Sequence, residues 1–412
     1  MNLTAVVIRS KQDRTAVQEN KGVNMNVLEL AKSVQPFVVE YRRDIHRHPE
    51  LSFQEFRTTD RICEELDKMG VSYRRMEPTG VLAEIKGGKG PGKTVLLRGD
   101  IDALPVKEET GLEFASENDG CMHACGHDTH NAMLMGAVKA INSVKDEFAG
   151  TVKFIFQPAE ETGQGAKAMI KGGCLDGVDW MFGTHIASMT DLGKVETAPG
   201  PTYASAFWFK IKITGVSSHG ADPYHGRDAA VAGSAVIMAL QDMVAREYQP
   251  TDPMVVTVGD IHAPGRFNII PGEYRMEGTI RTFSREINAT LEETLNRIAK
   301  GVASAYRCTA DVELIEVAEV CENDPDAFEI GKAAIEKVVP GGFVMAKPTM
   351  GGEDFAYYTP HVKACFFGLG AKLPDAEGKV HPMHSGHVLF DERAFETGVA
   401  LYIQVAMDAL EA

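Results

Sequence analysis

An alternation of patterns restricts this chain more than any other feature. Short apolar runs at residues 80–85, 94–98, 151–157 and 180–185 are separated by stretches with helical periodicity. Runs of that length bounded by turn residues read as strands, and strands alternating with helices read as an α/β sheet. The first helix begins at Val27, Leu28 and Leu30, passes through Tyr41 and is stopped by Pro49. A second covers about 53–69 and ends at Gly70, a third 128–142 with Met133, Ala137 and Ala140 on one face, and a short one 165–171. Proline cannot continue a helix and glycine commonly ends one, so these stops are physical.

The pattern changes near Pro199-Gly200-Pro201. Phe207, Phe209, Ile211 and Ile213 alternate with Trp208, Lys210 and Lys212, which describes a strand with one solvated or interfacial face. A helix at 226–245, strands at 254–261 and 272–283, a helix at 286–306 and a strand at 312–318 follow. The order βαββαβ fits a self-contained two-layer, ferredoxin-like unit inserted into the first domain. The expected architecture is therefore α/β: a mixed sheet with helices on both faces from 25–200 and 313–412, interrupted by the inserted unit at 201–312. Residues 1–24 are polar and aperiodic and are expected to be disordered, with Met25 a candidate start.

At 412 residues, two or three globular units are expected. Against 58 Asp and Glu stand only 42 Lys and Arg, a formal charge of -16. Nucleic-acid binding needs a basic footprint, and so does attraction to an anionic membrane surface, so neither partner is expected. No apolar run approaches the ~18 residues of a spanning helix; the longest, 229–240, is too short. The N-terminus lacks the pattern of a secretory signal. Seven cysteines, odd in number and scattered, do not form a disulfide framework. The expected location is cytoplasmic.

One motif misleads. Residues 87–94, GGKGPGKT, match a phosphate-binding loop, but that loop must open a helix, and Thr94 leads into a strand. A hairpin loop is the simpler reading.

The richest segment is CMHACGHDTH, Cys121 to His130, at the mouth of the third helix. A helix N-terminus lowers the pKa of Cys125 toward thiolate, and Gly126 lets Cys125 and His127 face one point. Metal binding explains this segment; so does a reactive or buried cysteine with surface histidines. The strand at 151–157 ends by delivering adjacent carboxylates, Glu160 and Glu161, and the strand at 180–185 ends in His185. Open α/β sheets bind ligands beyond the carboxyl ends of their strands. One of two adjacent carboxylates can hold a metal while the other takes a proton. Asp100 and Asp102 end a further strand on one face, where either could orient a metal-bound histidine. His381, His384 and His387 add imidazoles near the C-terminus.

From about Val27 to the end, the chain resembles the aminoacylase/carboxypeptidase superfamily of two-metal amidohydrolases. The branch it most resembles holds hippurate hydrolases, N-acyl-amino-acid amidohydrolases and plant indole-acetyl-amino-acid hydrolases. The resemblance rests on HRHPELSFQE, LLRGDIDALP, MHACGHDTH, FQPAEE, SSHGADPYHGRDA, FNIIPGEYRMEGTIRTF, MGGEDFAYY and HPMHSGHVLFDE together. It implies a metallohydrolase catalytic domain and an inserted lid and dimerisation domain. It implies Cys125, His127, Glu161, His185 and His384 as ligands of two divalent ions (Zn, Mn, Co or Ni), with Asp100 and Asp102 behind them. Glu160 matches the general base. By the same resemblance His219 reaches a neighbouring subunit's site to polarise the scissile carbonyl, and Asn268 and Arg281 hold the substrate carboxylate. The loop at Glu353 and Asp354 walls the site with no assigned step; His46, His48, His123 and His130 are structural, with His130 also a candidate to stand behind the ligands. Around His384 the family commonly has Pro or Asn near the place of Gly386, and His387 is a rival ligand. The implied activity is hydrolysis of small N-acyl amino acids by a homodimer or homotetramer joined through the lid. Rival readings are a carboxypeptidase or dipeptidase on the same scaffold, and a non-catalytic metal-binding relic.

Overall fold

A computed structural model describes residues 26–412, so the expectations for residues 1–24 and for Met25 lie outside the described residues. The first sheet has eight strands, in the spatial order Ser72–Arg75, Val81–Lys86, Thr151–Gln157, Thr94–Asp100, Trp180–Ala187, Lys363–Gly370, Val195–Thr197 and Phe343–Met345. The four central strands, Thr151–Gln157 to Lys363–Gly370, run parallel. Their apolar residues point both ways. Val95, Leu97, Phe154 and Phe182 face the long helices Val27–Arg47, His127–Ser143 and Ala394–Glu411. Leu96, Ile155, Met181 and Phe366 face the helix Gly165–Lys171 and the turn Asp354–Tyr357. Burial on both faces is why these strands read as continuous apolar runs rather than as alternation.

The inserted unit comprises Ser205–Thr214, the helix Ala229–Arg246, Met254–His262, Glu273–Thr282, the helix Arg285–Ala305 and Thr309–Ala318. Its strands lie in the order Met254–His262, Glu273–Thr282, Ser205–Thr214, Thr309–Ala318, each antiparallel to its neighbours. This is the split βαβ arrangement expected. Phe207, Phe209, Ile211 and Ile213 pack beneath both helices, whereas Trp208, Lys210 and Lys212 face outward.

Two expectations change. The last strand pairs with Ser205–Thr214 from Thr309↔Thr214 to Ala318↔Ala206, so the boundary falls after Ala318 and not at 312. Its first residues, Thr309, Ala310 and Asp311, carry too little apolar character to announce a strand; backbone pairing to a neighbour holds them. At the other crossing Gly200–Tyr203 pairs with Cys321–Asn323, so the two connections leave the first unit side by side. The apolar run at 229–240 also extends to Arg246, giving a helix long and apolar enough by composition to cross a membrane. Its inner face, Ala229, Ala232, Val236, Leu240 and Met243, is buried on the inserted sheet.

Candidate metal centre

The chemistry-bearing side chains gather where the central strands end. The motif Cys125-Gly126-His127 turns the chain at Gly126. Gly126 has φ +86°, and a Cβ there would lie 2.5 Å from Ile186 Cγ2. Glycine is the residue that takes this conformation without strain. Helix His127–Ser143 starts immediately after it. Gly126→Ala is expected to cost about 2–3 kcal/mol through left-handed strain and overpacking, read by urea denaturation, and to lower bound metal.

Cys125 Sγ lies 3.4 Å from His185 Nε2 and 3.3 Å from His384 Nε2. His384 Nε2 is 3.7 Å from Glu161 Oε1. His127 Nε2 is 3.9 Å from Glu161 Oε1 and 3.9 Å from Glu160 Oε2. The five side chains expected to converge do so, in overlapping groups whose donor atoms lie within 4.8 Å of one another.

The donor atoms are prepared for a cation. His127 Nδ1 faces Asp102 O at 3.0 Å and Asp102 Oδ1 at 3.1 Å, and both are acceptors. Nδ1 must therefore carry the proton, which leaves the Nε2 lone pair toward the cluster. His185 Nδ1 likewise donates to Ile186 O at 2.7 Å, freeing Nε2 toward Cys125. His127 Nε2 and Glu161 Oε1 are buried without any hydrogen-bond partner. Buried polar atoms rarely stay unpaired, so these orphans fit a bound cation.

Burial pushes the Cys125 thiol well above its ordinary value, against a smaller opposing pull from His127. Desolvation therefore opposes the lowering expected from the helix N-terminus. A divalent ion, a full charge at contact distance, deprotonates a thiol where a helix end cannot. Burial also lowers His185. Glu160 is raised well above the usual carboxylate range by burial, then by Glu353 and Asp354.

Asp100 and Asp102 stand behind the cluster, as expected. Asp102 accepts from the backbone N–H groups of Glu160 and Glu161 at 3.1 and 3.2 Å and from Ser52 Oγ at 2.7 Å. It thereby fixes both the His127 tautomer and the turn that presents the two glutamates. Asp100 is occupied by Arg98 at 2.6 Å and His130 Nδ1 at 2.5 Å. His130 Nε2 accepts from Ile186 N at 2.7 Å, tying this chain to the strand that carries His185.

Two supports, Arg98 and Glu55, are not named by the sequence pattern. Arg98, fully buried, donates to Gln157 Oε1 at 3.0 Å, Glu353 Oε1 at 3.0 Å and Asp354 Oδ1 at 2.8 Å besides Asp100. The backbone N–H of Asp354 then donates to Glu160 Oε1 at 3.2 Å. The signal was available: an arginine inside the apolar run LLRGD has to find anions in the core. Glu55 is the other. Its Oε1 accepts from Ala159 N at 2.9 Å and its Oε2 from Thr79 Oγ1 at 2.6 Å. Ala159, at φ +52°, directly precedes Glu160, so Glu55 holds the strained residue that aims both glutamates.

His219 was expected to reach a neighbouring subunit's site, and the structure leaves it, with Asn268, away from the cleft of its own chain. Arg281 lines one cleft of about 1140 Å³ between the two units together with Cys125, Glu160, Glu161, His185 and His384, but His219 and Asn268 do not line it. Both are exposed, and His219 Nδ1 accepts from Ala221 N at 3.1 Å. His387 belongs to none of the clusters among the described residues; its ring meets Glu109 O at 3.1 Å and Glu109 Oε2 at 3.2 Å. Residues 87–93 form a loop between Val81–Lys86 and Thr94–Asp100, with no helix to bind phosphate.

The sequence pattern of peptidase family M20/M25/M40 matches residues 96–408, a span that holds every residue of the cluster. The chain belongs to this family. Among M20 relatives, "Thermostable carboxypeptidase 1" of Saccharolobus solfataricus is 35% identical over 381 residues, covering 91% of this chain and 96% of its own. "N-acyl-L-amino acid amidohydrolase" of Geobacillus stearothermophilus is 41% identical over 279 residues, covering 67% and 75%. The solved Bacillus subtilis YXEP protein, described as a dinuclear metal binding peptidase of this family, superposes with a TM-score of 0.81 at 34% identity, covering 92% and 99%. The M20 chain is thus a hydrolase with residue clusters able to hold metal.

Proposed function

We propose that this M20 hydrolase cleaves the amide of N-acyl amino acids, giving a carboxylic acid and a free amino acid. The observation that carries the reading is the pair of orphaned buried atoms, His127 Nε2 and Glu161 Oε1, beside Glu160. Cys125, His127, Glu161, His185 and His384 would hold two divalent ions, the thiolate favouring Zn, Co or Ni over Mg, with Mn also admitted. When bound, such ions supply Lewis acidity toward the carbonyl and an acidified water.

The protein's own groups do the rest. Glu160 has one oxygen held by Asp354 N–H and the other turned toward His127. It takes a proton from the attacking water. The water oxygen bonds to the carbonyl carbon, the C–N bond breaks, and Glu160 returns the proton to the amine nitrogen. Arg281 is half-buried in the cleft, its NH1 donating to Thr279 Oγ1 and Ile280 O, and no salt bridge engages it among the described residues. It is suited to a substrate carboxylate.

A panel of N-acetyl and N-benzoyl amino acids assayed with several added metals tests the reading; hydrolysis of dipeptides but of no N-acyl amino acid would replace it with the carboxypeptidase reading that the Saccharolobus relative's name suggests. His219 and Asn268, outside their own chain's cleft, are proposed to serve a partner's. The exposed side chains of Val255, Ile261 and Met238, on an edge strand and the helix before it, support association there. Mixing inactive Glu160→Gln and His219→Ala chains should restore up to about a quarter of wild-type activity, since half of the dimers would hold one intact site. No recovery after subunit exchange would refute sharing.

A further inference from the structure

The outward face of the inserted sheet carries chemistry that neither the metal cluster nor the proton transfer uses. Ser205–Thr214 lies between Glu273–Thr282 and Thr309–Ala318, so its outward residues have neighbours on both sides. Trp208 sits directly opposite Thr279 on one side and Ile315 on the other; Ala206, one step nearer the crossings, sits opposite Arg281. Trp208, Ile315, Ala206 and Arg281 all line the cleft shared with Cys125 and Glu160. Trp208 is 53% exposed and Ile315 37%, an uncovered apolar pair aimed into a catalytic cleft.

The guanidinium of Arg281 bonds back to Thr279 Oγ1, the residue facing Trp208 across the ladder. Its charged head therefore lies in the row of the indole. The other cation on the cleft wall, Lys167, is 4.0 Å from Glu316 and lies over the Tyr357 ring at 4.1 Å. A carboxylate entering the cleft would accordingly settle at Arg281, with the small Ala206 leaving room for the chain beside it. Whatever is attached to the α-carbon next to that carboxylate then meets Trp208 and Ile315.

We infer that Trp208 and Ile315 form the pocket for the amino-acid side chain, and that the preferred substrates are N-acyl derivatives of large apolar or aromatic amino acids. The inference rests on the proposed N-acyl amino acid activity with Arg281 as carboxylate anchor. A flat indole opposite a branched aliphatic chain offers apolar area to such a side chain and none that glycine can use.

The test varies one end of the substrate at a time. With the acyl group fixed as acetyl, wild-type kcat/KM should be at least ~10-fold higher for phenylalanine or leucine than for glycine. In Trp208→Ala the loss on the phenylalanine derivative should exceed the loss on the glycine derivative by ~10-fold, and Trp208→Phe should recover most of the preference. Equal losses on all amino acids would show that Trp208 serves lid packing and would overturn the inference. So would a preference that follows the acyl group (acetyl against benzoyl at fixed amino acid). If the wild-type protein hydrolyses no N-acyl amino acid at all, the failure belongs to the underlying activity and not to the pocket.

Discussion

Glu160→Gln should lower kcat by ~10²–10⁴ while metal content, fold and KM stay close to wild type. The substitution is nearly isosteric. The amide oxygen can still accept the Asp354 N–H now bound to Oε1 at 3.2 Å, so the side chain should stay in place. What it loses is the capacity to take a proton and pass it to the leaving nitrogen. Steady-state kinetics with a metal analysis of the same sample distinguish this from damage to the centre. A variant turning over within a few fold of wild type would end the assignment of Glu160 as base. One that lost its metal would show that Glu160 is needed to hold the ions.

Arg98→Met should be the most destabilising substitution near the site, by about 3–5 kcal/mol at neutral pH. Among the described residues Arg98 is the only arginine or lysine bonded to Asp100, Glu353 and Asp354, all of them buried, while His130 and His127 also face Asp100. Methionine fills similar space, leaves Glu353 and Asp354 in low dielectric without a counter-charge, and leaves Asp100 with its histidine neighbours alone. The sign of the pH dependence follows. Burial raises Asp354 to about 7 even with Arg98 present, and burial likewise raises Glu353. Removing the cation raises both further. A carboxyl whose folded pKa exceeds its unfolded value imposes no cost below the unfolded value, and the cost grows as pH rises toward the folded one. The deficit of Arg98→Met should therefore be larger at pH 8 than at pH 5.5 in urea denaturation. A deficit that is flat or reversed with pH would mean that the arginine packs rather than pairs.

Much of the site was legible because its parts are local. A strand ending in Glu160-Glu161, another ending in His185 and a helix opening on Cys125-Gly126-His127 each follow from short-range periodicity and turn chemistry. The rule that open sheets bind at their strand ends then places them together. His384 was visible only as one of three C-terminal imidazoles, and its choice as a ligand came from resemblance alone. Arg98 with Glu353, and Glu55 with Ala159, were not legible, because these partners are 255 and 104 residues apart. No window of sequence shows which anion a buried cation will meet. Cys125 shows the complementary case: the helix start beside it is legible locally, but the burial that pushes its thiol up comes from distant segments.

By itself, then, the sequence determined the two α/β units, the order of their elements, and the residue types carried on the strand ends, since backbone conformation and apolar periodicity act over a few residues. Only the tertiary structure decided which imidazole nitrogens face the cluster, that His387 is tied to Glu109, that the last inserted strand reaches Ala318, and that Arg281 shares a cleft with Glu160 while His219 does not. Apart from the His185 tautomer, which the neighbouring Ile186 carbonyl sets, each depends on groups distant in the chain meeting in space, and around His127 they meet in a low-dielectric interior where pairing and desolvation outweigh local preference.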